Sequence, residues 1–153
     1  MKILFATLVL LLAGCSATQS ENSTSTTFTY SDTMDIIRSA AESAPHAVEG
    51  EYILYIKATG SQGAFVYLNT ELDYRDQRSV TVAIHPRAVK AIIDKYGSAP
   101  QDYFLDKSIA VSGQAKRIKI NFNSQGKPTG KYYYQTHIRI KDVSQIQVLS
   151  QSV

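Results

Sequence analysis

The stretch Ser108–Asn123, SIAVSGQAKRIKINFN, decides how the chain is read. It is β-rich and long for a single strand, and its apolar residues change phase. Ile109 and Val111 share one parity; Ile118, Ile120 and Phe122 share the other. Side chains on a strand alternate between two faces with a period of two. A change of parity therefore calls for one extra residue. Gly113 lies near the slip, where a β-bulge would place a glycine. A long strand bent at a glycine is the device that curls a sheet into a barrel.

Working outward, the turn Ser124–Gly130 leads into an alternating strand, Lys131–Lys141, and a short last strand, Gln145–Leu149. Upstream, Pro86 suits the first position of a helix, and Val89, Ile92, Ile93 and Tyr96 form its stripe. Gly97 stops it. Pro100 falls in the loop that follows. Before this helix come three strands, Glu51–Ala58, Ala64–Thr70 and Ser79–Ile84, with a turn over Gly60–Gly63. A first helix begins at Asp32 or Thr33, carries Met34, Ile37, Ala41 and Ala44 on one face, and ends at Pro45. The order predicts a mostly β fold. It is a five-stranded Greek-key barrel of the OB type, with a helix between strands 3 and 4 and a helix at the N-terminus. An open α+β sheet is the competing architecture.

Four features, Leu68-Asn69, Tyr74-Arg75-Asp76, Val111-Ser112-Gly113 and the closing segment Asp142–Leu149, resemble small bacterial OB-fold domains of the nucleic-acid-binding type. The resemblance spans about Glu49 to Leu149 and implies a binding fold with no transferable catalytic signature.

The N-terminus predicts the location. Lys2, then an apolar run from Ile3 to Ala13 broken only by Thr7, has the plan of a secretory signal and is too short to span a bilayer. Leu12-Ala13-Gly14-Cys15 resembles the lipobox of bacterial lipoproteins. That resemblance implies acylation of Cys15, the single cysteine, and an anchor in a lipid membrane. Ser16, where an aspartate would retain such a protein at the inner membrane, implies the outer membrane, facing the periplasm or exposed at the surface. The expected organisation is a signal peptide over 1–14, a lipidated Cys15 with a Ser/Thr-rich tether to residue 29, and one domain over 30–153.

A lone cysteine leaves no disulfide and no thiolate metal site. His46, His85 and His137 show no metal-ligand spacing, and neither G-x-S-x-G nor a glycine-rich phosphate loop is present. No cofactor, metal or catalytic residue is expected. The charge, +3 overall, is divided: Lys107–Lys141 holds eight Lys/Arg and no acid, whereas Ser16–Asp106 is acidic. Outward parity offers Tyr55, Lys57, Phe65, Tyr67, Arg117, Lys119, Tyr133, His137, Arg139 and Lys141 as a basic-aromatic binding face. The expected function is an anchored, non-enzymatic OB-fold module holding an envelope protein, an anionic glycan or a nucleic acid. The alternatives are a metal-dependent enzyme or factor using His85, His137 and the acidic loop Glu71, Asp73 and Asp76, and a self-associating structural lipoprotein.

Overall fold

The computed structural model describes residues 29–150. Within them lie α1 (Thr33–Glu42), β1 (Val48–Tyr55), β2 (Ala58–Gln62), β3 (Phe65–Asn69), β4 (Val80–Ile84), α2 (Pro86–Tyr96), α3 (Pro100–Tyr103), β5 (Ser108–Ser124), β6 (Lys127–Ile140), a 3-10 turn (Val143–Gln145) and β7 (Ile146–Val148).

Helix boundaries follow local chemistry. Asp32 caps α1 by accepting the Met34 N–H at 2.8 Å. The face that is buried carries Ile36 and Ala40, with Ile37 half-buried, while Met34 is exposed. The expected stripe was thus one residue out of phase in a helix whose apolar content is thin. α2 starts at Pro86 and stops at Gly97, whose φ of 73° is left-handed and suits glycine. Its buried residues are Ala88 and Ile92, with Val89 and Tyr96 packed at the edge.

The closed five-stranded barrel is corrected. Seven strands form one mixed sheet in the order β1-β5-β6-β4-β3-β2, with β7 beside β5. β1 and β2 stand at the two ends of this path and do not pair with each other, so the ladder is open. The physical reason lies at Ile56 and Lys57. The chain expected to form one strand there changes partner: Ile56 N–H donates to the Lys107 carbonyl at 3.0 Å, and Lys57 N–H to the Asn69 carbonyl at 2.9 Å. Asp106 N–H returns a bond to Ile56 O. A loop, not a strand ladder, therefore holds that corner. The resemblance to OB-fold domains, carried by four short sequence features, implied such a barrel and is withdrawn with it.

The bulge at Gly113 is also absent. β5 pairs with β1 without interruption from Val48↔Ala115 to Tyr55↔Ser108, with Gly50 opposite Gly113. Gly113 is instead a point of close approach, because a Cβ there would lie 3.2 Å from Ile138 Cγ2 and 3.4 Å from the Arg139 carbonyl. The irregularity of β5 comes later, between Asn121 and Asn123. Ile109, Val111 and Ala115 stay on the core face, so Arg117 and Lys119 share their parity and Ile118 and Ile120 lie on the other face.

β4 is buried along its whole length, flanked by β3 antiparallel and β6 parallel. The core gathers Leu54, Ile56, Leu68, Val80, Val82, Ile84, Ile92, Phe104, Ile109, Ile138, Ile140 and Ile146 between the sheet and the helices. Beyond Ala115 and Thr136 the β5–β6 pair has no third strand beside it. It runs on as a two-stranded arm to a tight turn at Gln125-Gly126, both at positive φ, as in a type I′ hairpin.

Candidate functional site

The outer face of the sheet carries a row of directly paired residues: Asn69 on β3, Thr81 on β4, His137 on β6 and Lys116 on β5. Asn69 and Thr81 are buried and satisfy each other, the Thr81 hydroxyl donating to Asn69 Oδ1 at 2.8 Å. His137 is mostly covered, and burial together with the Arg139 charge pushes its imidazole pKa down to about 4. The imidazole is therefore neutral at pH 7. Gln135 Nε2 donates to the Tyr74 carbonyl and to the Tyr133 hydroxyl, at 3.0 and 3.1 Å. The Gln135 Oε1 is left to accept, and it lies 2.8 Å from His137 Nε2. This arrangement places the imidazole proton on Nε2 and the lone pair on Nδ1. The Tyr67 ring lies 6.2 Å from the imidazole, and Phe65 continues the aromatic row toward His85.

Beside His137 opens a groove of about 350 Å³, lined among others by Gln114, Lys116, Ile118, Arg139, Lys141 and Glu49. A second hollow, lined by Glu49, Gly50, Glu51, Ser112, Gly113 and Gln145, shares Glu49, Gly113 and Gln145 with the first. The two form one depression with a basic wall and an acidic lip. Gln145 is fixed between them: its Oε1 accepts from the backbone N–H groups of Lys141 and Asp142, and its Nε2 donates to the Ser112 carbonyl.

The charges of this depression are unspent. Five ion pairs occur among the described residues: Asp35–Arg38, Glu71–Lys57, Asp73–Arg75, Asp76–Arg78 and Asp94–Lys90. None includes Lys116, Arg139, Lys141, Glu49 or Glu51. Opposite charges line one groove without closing on each other.

The expected binding face divides into three parts. Phe65, Tyr67, Tyr133, His137, Arg139 and Lys141 share the outer face. Arg117 and Lys119 project from the opposite face of the β5–β6 ribbon, beside Tyr132 and Tyr134. Tyr55 pairs with Ser108 at the far end of β5, and Lys57 is held by Glu71 at 3.0 Å. Lys116, Gln114, Glu49 and Gln145 were missed. Reading β5 without a phase slip would have placed Gln114 and Lys116 on the outer face.

The barrel-module function falls with the barrel. The metal-dependent alternative is corrected as well: among the described residues no three His, Cys, Asp or Glu side chains gather for a metal ion. His85 caps α2, its Nδ1 accepting from Arg87 N–H at 3.3 Å, and the acidic loop turns Asp73 and Asp76 onto Arg75 and Arg78. The self-associating alternative gains no support: at one end of the sheet the outer edge of β1 is engaged at Ile53, which exchanges bonds with Ser31. Among the described residues no helix is long and apolar enough to cross a membrane. Cys15 and the signal segment lie outside the described residues.

No family model matches the chain, and no curated protein matches it. Among solved structures it is similar to a chain assigned as an aspartyl-tRNA synthetase from Leishmania major Friedlin, with 14% identity and a TM-score of 0.45 over 90% of this chain and 24% of that one. It is also similar to an aspartyl tRNA synthetase from Entamoeba histolytica, with 13% identity and a TM-score of 0.47 over 97% and 29%. The third is the Est3 telomerase subunit of the yeast Hansenula polymorpha, with 11% identity and a TM-score of 0.49 over 94% and 83%. The chain thus spans under a third of either synthetase. Likenesses at this level assign no function.

Proposed function

We propose that the chain holds, without transforming it, a short zwitterionic ligand in the outer-face groove. Its carboxylate would meet Lys116, Arg139 and Lys141, and its ammonium Glu49 and Glu51. The observation that carries this reading is the pair of facing, unpaired charge sets in one depression. Charges left unspent across a gap favour a ligand bridging both, since charge-assisted hydrogen bonds are about twice as strong as neutral ones. The volume falls within the usual range for small-ligand sites. His137 adds a neutral acceptor beside the cations, suited to a ligand hydroxyl or amide N–H.

Titration calorimetry with a zwitterionic tripeptide tests it, alongside the same peptide N-acetylated or C-amidated. Each blocked peptide should bind about tenfold more weakly or worse, and Arg139→Glu should do the same to the free peptide. Equal affinity for all three peptides, or none for any at millimolar concentration, would remove the reading.

Attachment through Cys15 is a separate proposal, resting on Lys2, the apolar run and Leu12–Cys15. Radiolabelled palmitate should enter the chain when expressed in a Gram-negative host and should not enter Cys15→Ala. Equal labelling of both would exclude it.

A further inference from the structure

The arm of β5 and β6 from Lys116 to Gln135 is outside the groove reading, apart from the groove-lining residues at its base. Its two faces differ. On one, Lys119 stands opposite Tyr134 and Asn121 opposite Tyr132. Each cation leans one step diagonally: Arg117 lies over the Tyr134 ring at 3.6 Å and Lys119 over the Tyr132 ring at 4.1 Å. The same diagonal contact is made twice in succession, within reach of long side chains across an antiparallel pair. On the other face Ile118 and Ile120 are half-buried, and Phe122 packs on Tyr133 at 5.3 Å. Phe122 is 45% exposed and Tyr132 50%. Lys127 and Lys131 stand at the tip. No acid occurs from Lys107 to Lys141, and none of the eight cations there forms an ion pair among the described residues.

We propose that this arm lies on an anionic lipid surface. Tyrosine and phenylalanine flanked by Lys/Arg, with one apolar and one cationic face, is the chemistry of an interfacial segment. Clusters of four to eight cations bind anionic headgroups, and the arm has four outside the groove: Arg117, Lys119, Lys127 and Lys131. The cations also argue against a base-stacking partner. Single-stranded nucleic acid needs open ring faces, and on this arm the Tyr132 and Tyr134 rings are each capped on one side by a cation and packed edge-to-face on each other at 5.5 Å. The ordering of Arg117 and Lys119 on those rings lowers the entropy lost on contact.

The test is vesicle flotation of the full chain on pure phosphatidylcholine and on phosphatidylcholine mixed with phosphatidylglycerol. Comparing the two cancels the apolar part of any partition due to the N-terminal segment, and the arm variants, which keep Lys2, isolate the arm's own share. The anionic vesicles should be preferred, and that preference should shrink as salt rises. Arg117→Gln with Lys119→Gln should reduce it about tenfold or more. Phe122→Ser, which keeps every charge, should weaken partition severalfold, so the proposal can be judged even if one variant fails to fold. Arg139→Gln, a groove change, should leave the preference in place, which separates this proposal from the zwitterion reading. No preference for anionic vesicles would overturn the proposal. So would a double variant that still floats with them but loses binding to dextran sulfate, which would make the arm a reader of soluble polyanions.

Discussion

Phe104→Ala is expected to cost about 3–5 kcal/mol, the range for truncating a fully buried aromatic. Phe104 is wholly inaccessible, packs edge-on to Tyr96 at 5.6 Å and to Tyr103 at 5.2 Å, and belongs to the main core. Its position makes the loss more than a cavity. The segment that follows it supplies Asp106 N–H to Ile56 O and Lys107 O to Ile56 N–H. Those bonds hold the corner where the chain leaves β1 and enters β2. Domains of this size have about 5–15 kcal/mol in total, so the variant should melt on the order of 10–20 °C lower. Chemical denaturation of Phe104→Ala and Phe104→Leu against the parent measures it. Leucine should recover more than half of the loss. A cost below about 1 kcal/mol for alanine would mean that the corner does not depend on the ring.

Phe104 also shows where the sequence stops being informative. Residues 98–107 read as a loop because α3 is a single turn, held by the packing of its C-terminal neighbour Phe104 into a core drawn from distant strands. The division of β1 from β2 is hidden for the same reason. Ile56 and Lys57 continue the alternation of their neighbours, and only bonds to Lys107 and Asn69 reveal the change of partner. α2 was legible because Pro86 and Gly97 act locally, through a fixed φ and a left-handed one. The outward residues His137 and Arg139 on β6, and Lys141 just past its end, were legible because this part of the strand lies within the sheet, where alternation reports burial. β5 misled because alternation was followed past the core. Ile118 and Ile120 are apolar, so the reading placed them inside and inserted a bulge at Gly113. In the arm there is no inside, and parity marks two exposed or half-exposed faces. Correcting that one phase moves Arg117 and Lys119 out of the candidate site and brings Lys116 in.

Acidification should destabilise the protein between about pH 6.5 and pH 4, and His137 is the cause. Burial first, and the Arg139 charge second, hold its folded pKa at about 4, below the ordinary histidine value of 6.5. In that interval the unfolded chain binds a proton that the folded chain refuses, so stability rises with pH. The contribution is complete above about 6.5 and is lost as pH falls through about 4. A difference of this size corresponds to about 3 kcal/mol at most. The charged groups nearest the imidazole are Arg139, two residues on along β6, and Lys116, paired opposite it on β5; Glu49 of β1 lines the same groove, and the facing side chains of β3 and β4, Tyr67 and Thr81, bring no acid. The depressed carboxylates, Asp73, Asp76 and Asp142, act in a different window. Their stabilisation is present above their ordinary value of 3.8 and fades only below it. Urea midpoints measured from pH 7.5 to pH 4 should therefore fall in the parent and stay nearly level in His137→Gln, whatever that variant costs at neutral pH. Parallel slopes in the two proteins would show that the imidazole is free to protonate in the fold, and with it would go the neutral acceptor assigned to the groove.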